Sequence, residues 1–278
     1  MVTIVIPTFE RSDLLEQCLN RIKPEVQTTS ISYDVIVTDD SRDDRTKKMC
    51  SEYFPWVLYT EGPKRGPAAN RNYGASKVST KWIIFFDDDC LPNVNILENY
   101  VLAMSIHDSI DVFEGRIFAD RLQQGYDEIS PVNETGGYLW SCNFAIRRKA
   151  YNNLGGFDEG FPYAAMEDVD LHYRIKKANL IIFFLIDAGV CHPWRKKAKK
   201  DFDKNYESYK YFIAKYPEIA KNRSIVLYLL SRLKYLVKMS VITIFRYRGR
   251  GIIYLYYELR YDFIRTALIF KTKYFISQ

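Results

Sequence analysis

The sequence has little that would staple it or anchor it. Its five cysteines, Cys18, Cys50, Cys90, Cys142 and Cys191, are odd in number and scattered singly. With no Cys-x-x-Cys spacing they argue against a disulfide framework and a zinc site, and for a reducing compartment. No run reaches the about 18 uncharged apolar residues of a membrane span. The two apolar stretches near the C-terminus are interrupted by Arg232, Lys234 and Lys238, and by Glu258, Arg260, Asp262 and Arg265. The chain opens on Val2-Thr3-Ile4-Val5-Ile6 without a basic stretch, an apolar segment and a cleavage site, so no signal peptide is expected. Glycine is missing from Pro7-Thr8-Phe9-Glu10-Arg11, where an enzyme that makes nucleotide-sugars would carry a phosphate loop. The triplets Asn133-Glu134-Thr135 and Asn222-Arg223-Ser224 fit a glycan acceptor, but such triplets arise by chance and nothing else looks secreted.

What is present is a chain of 278 residues, long enough to bury a core without cross-links. It carries 22 Tyr and 17 Phe, an aromatic load for a core, a sugar-facing cleft or an interface. Charge is divided unevenly. Residues 224–278 hold ten Lys/Arg against two Asp/Glu, a net of +8, and residues 1–223 hold 30 against 32, a net of −2.

Short apolar runs alternate with helical patterns through the first half, which predicts a parallel sheet with crossover helices. Strands are expected at Val2–Ile6, Tyr33–Thr38, Val57–Thr60 and Lys81–Phe86. Helices are expected at Ser12–Lys23, at about 43–53, and from Gly66-Pro67 to Lys77, where proline suits the first turn. Beyond Phe86 the texture becomes α+β: a helix near Asn95–Ile106, strands at Val112–Phe118 and Tyr138–Ile146, a helix at Glu167–Ala178 and a strand at Leu180–Ile186. A domain boundary is placed near 220. Two amphipathic stretches follow, broken at Arg248-Gly249-Arg250-Gly251.

Asp87-Asp88-Asp89 follows an apolar strand directly, so its carboxylates emerge at the carboxyl end of a sheet, where open α/β folds bind ligands. Crowded carboxylates are costly unless a hard divalent cation offsets them, and such a cation bridges naturally to a diphosphate. Mn²⁺ or Mg²⁺ is implied. Asp39-Asp40, with Asp43 and Asp44, ends the second strand in the same way. A solvated acidic turn is the plainer reading of either cluster alone.

Six blocks stand in sequence: Ile4-Val5-Ile6-Pro7-Thr8; Val37-Thr38-Asp39-Asp40-Ser41; Gly66-Pro67-Ala68-Ala69-Asn70-Arg71-Asn72; Asp87-Asp88-Asp89; Gly155-Gly156-Phe157-Asp158-Glu159; and Glu167-Asp168-Val169-Asp170-Leu171. Their order and spacing over about residues 2–195 resemble glycosyltransferase family 2. The resemblance implies a GT-A fold, a nucleotide-diphosphate sugar donor and inversion by single displacement. It makes Pro7 and Thr8 neighbours of the base, Asp40 beside Asp39 a base-contacting carboxylate, and Gly66 and Arg71 part of the nucleotide border. Asp87 resembles the carboxylate near ribose and metal, Asp88 its neighbour at the donor, and Asp89 the metal ligand. His192 resembles a histidine that completes the metal shell, with a structural turn before Pro193 as the alternative. Asp168, paired with Glu167, resembles the general base. Independently of the resemblance, an acceptor hydroxyl needs one base to take its proton. Hydrolysis would need two opposed carboxyl groups and no metal-diphosphate site. The plainer reading of Glu167, Asp168 and Asp170 is acidic complement to a helix start.

Other candidates are weaker. Trp140 and Trp194 could stack on sugar rings or belong to the core. His172 shares a helical face with Asp168, and His107 is assigned to a helix surface. Arg147-Arg148-Lys149 and Arg195–Lys200 could hold phosphates, though charge runs are usually solvated. Three positions depart from the family pattern: Glu10 where asparagine is frequent, Ser41 after Asp40, and Cys90. The Gln-x-x-Arg-Trp element of polysaccharide synthases is absent, which favours addition of single sugars. The expected organisation is a catalytic domain over 1–220, with a donor half at 1–110 and an acceptor half at 111–220, and a basic aromatic helical extension over 221–278. Residues 224–278 suit an anionic membrane surface, serving a glycan or lipid-linked acceptor from the cytoplasmic side, with a helical cap on the catalytic domain or a homodimer contact as the plainer reading. Nucleic acid is not expected. A non-catalytic sugar-binding or scaffold protein of the same fold is the alternative.

Overall fold

A computed structural model describes residues 1–275; the last three residues of the expected 221–278 extension lie outside the described residues. The strands are β1 (Val2–Thr8), β2 (Tyr33–Asp39), β3 (Leu58–Glu61), β4 (Trp82–Phe86), β5 (Leu91–Pro92), β6 (Val112–Phe118), β7 (Glu128–Ile129), β8 (Asn143–Arg147), β9 (Ile182–Cys191) and β10 (Arg195–Lys196). The helices are α1 (Ser12–Arg21), α2 (Arg45–Tyr53), α3 (Pro67–Ser76), α4 (Ile96–Ile106), α5 (Arg148–Leu154), α6 (Glu167–Lys177), α7 (Lys199–Lys215), α8 (Pro217–Lys221), α9 (Ile225–Phe245) and α10 (Ile253–Phe275).

Eight strands form one mixed sheet in the order β3-β2-β1-β4-β8-β6-β9-β5, a GT-A-like α/β sheet with helices on its faces. β1 pairs in parallel with β2 and with β4, and β8 runs antiparallel between β4 and β6. Every residue of β1 and β4 is buried, as expected for strands covered on both sides. Two apolar clusters cover the two faces. Ile4, Ile6, Leu15, Leu19, Ile84 and Phe86 belong to one, and Val5, Phe85, Phe144, Phe157 and Leu171 to the other.

Helix α3 lies unusually close to the sheet because Gly74 has no side chain. A Cβ there would meet Val5 Cγ1 at 2.5 Å and Thr38 Cγ2 at 3.0 Å. That approach brings Asn70 over the strand ends, where its Nδ2 donates to Thr38 O at 3.0 Å and Thr8 O at 3.3 Å.

The expected strand at Tyr138–Ile146 begins five residues late, at Asn143. Buried Glu114 explains the delay. Its carboxylate accepts from Gly137 N at 3.0 Å and Tyr138 N at 2.7 Å, and also from Asn133 Nδ2 at 2.5 Å. A side chain thus takes the hydrogen bonds that a strand partner would otherwise take. The helix expected at Glu167–Ala178 is present to Lys177, and β9 continues past the expected end at Ile186 to Cys191. The short helix α5 and the long helix α7 were not anticipated from the sequence.

The chain forms two compact units. One comprises residues 1–120, 131–160 and 167–193, and the other residues 121–130, 161–166 and 194–278. The first contains the large sheet. In the second, α10 packs against α7, α8 and α9, with the Phe202 ring of α7 set against Tyr254, Tyr257 and Tyr261 of α10.

Candidate active site

Three parallel strands end side by side at one edge of the sheet and deliver their last residues together. β1 ends at Thr8, β2 at Asp39, and β4 runs into Asp87. Asp40 N donates to Thr8 O at 3.0 Å, tying two of these ends. The Asp39 carboxylate is used locally, accepting from Ser41 N at 2.8 Å and Tyr59 OH at 3.1 Å. Asp40 Oδ1 accepts from Lys64 N at 2.8 Å, and burial holds this carboxyl above its usual range. Gly66, at φ 93°, turns the chain into α3, a conformation that favours glycine. Pro7 lies within β1 opposite Thr38, and Glu10 has a left-handed backbone at φ 53°, with its N–H donating to Ser41 Oγ at 2.7 Å. Pro7, Thr8, Glu10, Asp39, Asp40 and Gly66 are thereby gathered at one strand edge.

The acidic triplet points in three directions. Asp88 is fully buried and turned inward, where Thr8 Oγ1 donates to its Oδ2 at 2.7 Å and Arg11 approaches its Oδ1 at 2.7 Å. Burial raises its carboxyl to about 7 against the pull of Arg11. Asp89 lies between Arg11, at 3.0 Å from its Oδ2, and His192, whose Nε2 is 3.3 Å from its Oδ1. Although it is withdrawn from water, Asp89 titrates below the ordinary carboxylate range because His192 and Arg11 outweigh burial. Burial lowers the basicity of His192, but the hydrogen bond and charge of Asp89 raise it overall. Arg11 was not identified as a site residue from the sequence. The signal that could have found it is the neighbourhood of β1 and β4, which carries a cation just past one strand to an acidic run just past the other.

Asp87 Oδ1 receives Arg71 Nη2 at 2.6 Å, and the other end of the same guanidinium, Nη1, reaches Glu167 Oε1 at 3.3 Å. Arg71 is only 4% exposed and sits over the Phe157 ring at 5.4 Å. It is therefore an internal bridge between the triplet and α6. The Gly155-Gly156 turn makes this possible: both glycines have positive φ, and Asn72 binds Phe157 N through Oδ1 and Phe157 O through Nδ2, each at 2.9 Å. Glu167 is buried and its carboxyl is raised by that burial, with Arg71 acting against the shift. Asp168 beside it is part-exposed, and withdrawal from water together with the charge of Glu167 raises it to about 7. A carboxyl poised near neutrality can accept a proton.

The donor chemistry fits a hard divalent cation at one place. Ligand atoms of Asp89, Cys90 and His192 lie within 4.8 Å of one another. Asp89 Oδ1 and His192 Nε2 stand 3.3 Å apart, so a carboxylate oxygen and an imidazole face a common point. Cys90 does not suit such an ion. Its thiol donates to Cys142 O at 3.7 Å in the core, and its acidity is suppressed by that contact and by burial.

The remaining candidates fall elsewhere. Trp140 packs partly into the core and stacks on Tyr138, with centroids 5.7 Å apart and planes at 5°. Trp194 belongs to the second compact unit, where its Nε1 donates to Arg121 O at 2.7 Å. His107 lies on the Phe183 ring at 4.6 Å, and burial lowers the basicity of half-buried His172. Arg147 and Arg148 hold backbone carbonyls, including Ile110 O at 3.1 Å and Thr80 O at 2.8 Å.

A sheet of this order, with an acidic triplet after β4 and a second acidic pair at the start of α6, defines a class, and the family comparison agrees. The profile of Glycosyl transferase family 2 matches residues 3–155, more than half of the chain, and the chain belongs to that family. Among curated relatives, the chain is 24% identical over 210 residues to Glycosyltransferase AglE of Haloferax volcanii, covering 70% of this chain and 67% of the relative. It is 22% identical over 217 residues to a validoxylamine A glucosyltransferase of Streptomyces hygroscopicus, covering 63% of this chain and 51% of that one. The chain thus spans between half and two thirds of these relatives. Among solved structures, it is similar to S. aureus TarS in complex with UDP-GlcNAc, with TM-score 0.59, 19% identity, and coverage of 77% of this chain and 65% of that one. It is similar to the mannosyltransferase PcManGT of Pyrobaculum calidifontis in complex with GDP-Man and Mn²⁺, with TM-score 0.59, 19% identity, and coverage of 77% and 63%. At these identities the structural likeness speaks for the fold.

Proposed function

We propose that the protein is an inverting glycosyltransferase that moves one sugar from a nucleotide-diphosphate donor to an acceptor hydroxyl. The observation that supports this reading is the Arg71 bridge, which ties Asp87 of the acidic triplet to Glu167, the immediate neighbour of Asp168. In the reaction, Asp168 takes the hydroxyl proton as the acceptor oxygen forms its bond to the anomeric carbon. The bond from that carbon to the diphosphate oxygen breaks on the opposite face, so the configuration inverts. Glu167 and Arg71 position the base. The strand-end residues Pro7, Thr8, Glu10, Asp39, Asp40 and Gly66 border the nucleotide. Asp89 and His192, with Asp87 nearby, would hold Mn²⁺ or Mg²⁺, which when bound supplies positive charge opposite the departing diphosphate. The binding of UDP-GlcNAc and of GDP-Man with Mn²⁺ by structural neighbours supports both donor class and metal.

The same reading assigns catalysis to 1–220, with the donor half at 1–110 and the acceptor half at 111–220, and attachment to 221–278. The acceptor is a lipid-linked or cell-surface glycan precursor, and the enzyme works peripherally at the cytoplasmic face of a membrane. Five free thiols suit that compartment.

The test is Asp168→Asn. A panel of nucleotide-sugars with Mn²⁺ is first screened for thermal stabilisation, since a ligand of the folded state raises its apparent stability. The variant is expected to keep that stabilisation and to lose transfer by at least about a hundredfold. Turnover equal to that of the parent would remove Asp168 from the chemistry. A protein that no nucleotide-sugar stabilises would instead be the non-catalytic relative.

A further inference from the structure

We infer that the outer faces of α9 and α10 form a docking surface for an anionic lipid bilayer, entered in plane rather than crossed. The inference rests on the membrane part of the proposed function and gives it a surface. Along α9, Leu230, Leu233, Val237, Val241 and Ile244 recur at helical spacing, and all are exposed. Along α10, Leu259, Phe263 and Phe270 do the same, with Phe263 75% exposed. Soluble surfaces rarely leave such a contiguous apolar face in water. Among the described residues no helix is long and apolar enough to cross a membrane, so immersion to the depth of an amphipathic helix is the fitting geometry.

The charges decide what covers this face, because they are sorted by sign. The only two acids after residue 223, Glu258 and Asp262, are drawn inward onto Arg232. Its Nε is 2.8 Å from Asp262 Oδ2, and its Nη2 is 3.4 Å from Glu258 Oε2. Asp262 is 4% exposed. The cations Lys234, Lys238, Arg246, Arg248, Arg260 and Lys271 are exposed instead. An apolar stripe on two helices whose exposed charges are all positive complements acyl chains beneath anionic headgroups. A second copy meeting this face through a twofold axis would set like charges against like, which disfavours a homodimer. Nucleic acid has no use for rows of leucine and valine.

The experiment is co-sedimentation of the full chain with vesicles of phosphatidylcholine alone, and of phosphatidylcholine and phosphatidylglycerol in equal parts, at low and high salt. Binding is expected to the second only, and to weaken with salt. Lys234→Glu with Lys238→Glu should lower partitioning by at least about tenfold, and Leu233→Glu with Phe263→Glu should abolish it. Mn²⁺-dependent stabilisation by a nucleotide-sugar should persist in both variants, which shows that they are folded and separates this test from that of the transfer reaction. Three results would overturn the inference: equal binding to neutral vesicles, no binding to either, or a lipid-free dimer that the apolar variants dissociate.

Discussion

Taking away the Arg71 guanidinium leaves buried Glu167 and half-buried Asp87 with no cation between them. Breaking a buried pair from one side is expensive, so Arg71→Ala is expected to destabilise by about 3–5 kcal/mol in urea unfolding. Arg71→Lys should recover only part of this, because a point charge cannot serve two carboxylates as a fork does. Asp168 gives the pH dependence. Its raised carboxyl, near 7, must be ionised to act as base, so transfer should fall as pH drops through about 7, or lower once a bound cation assists ionisation. The stability sign is opposite. A carboxyl raised by folding opposes ionisation, so its contribution is full below the ordinary value and is lost as pH rises through about 7. Asp168→Asn should therefore unfold later than the parent at about pH 8 and with it at about pH 4. At this scale Asp87, Asp89, Asp168 and His192 stood out as candidates through the family resemblance, and the fold sets Asp89 against His192 and Asp87 against Arg71. The sequence did not show that Asp88 turns inward, that Arg11 neutralises the triplet or that Arg71 is an internal bridge. Those facts depend on which strands lie side by side, and local pattern does not carry that information.

Phe85 on β4 meets Phe144 at 5.0 Å, Tyr151 at 5.4 Å and Phe157 at 5.5 Å, joining the sheet to the Gly155-Gly156 turn. Phe85→Ala is expected to destabilise by about 3–5 kcal/mol and to loosen Arg71, which rests on Phe157. Gly74→Ala forces α3 off β1 and β2 and should lower stability by about 1–3 kcal/mol, with weaker nucleotide binding because Asn70 moves with the helix. Thermal unfolding with and without nucleotide checks both. Elements with one clear period, β1, β2, β4 and α1, were legible nearly to their ends. Two kinds of segment were not. Around Tyr138 an apolar run looks like a strand, but Glu114 captures its amides. Helix α7 starts in a basic run that reads as solvated surface, and its apolar partners lie in α10, more than a helix away in sequence.

The second compact unit draws on three stretches of chain, 121–130, 161–166 and 194–278, so its core is not confined to the C-terminal segment. Cutting at residue 220 would uncover Phe202, Tyr206 and Tyr209, whose ring and guanidinium contacts include Tyr261 and Arg265 of α10. Such a truncation is expected to aggregate, visible as loss of monomer in size-exclusion chromatography, which is why point variants in the full chain test the lipid surface. The composition of this region made the two long helices and their break legible, but not their sorting of charge, since the inward turn of Glu258 and Asp262 requires Arg232 from the neighbouring helix. Arg11 carries a last consequence. A side chain that already spans Asp88 and Asp89 serves as a resident counter-ion, so the acidic corner does not depend on dissolved metal to stay folded. A chelator should therefore silence transfer without unfolding the donor-free protein, and returning manganese should restore turnover without any refolding lag.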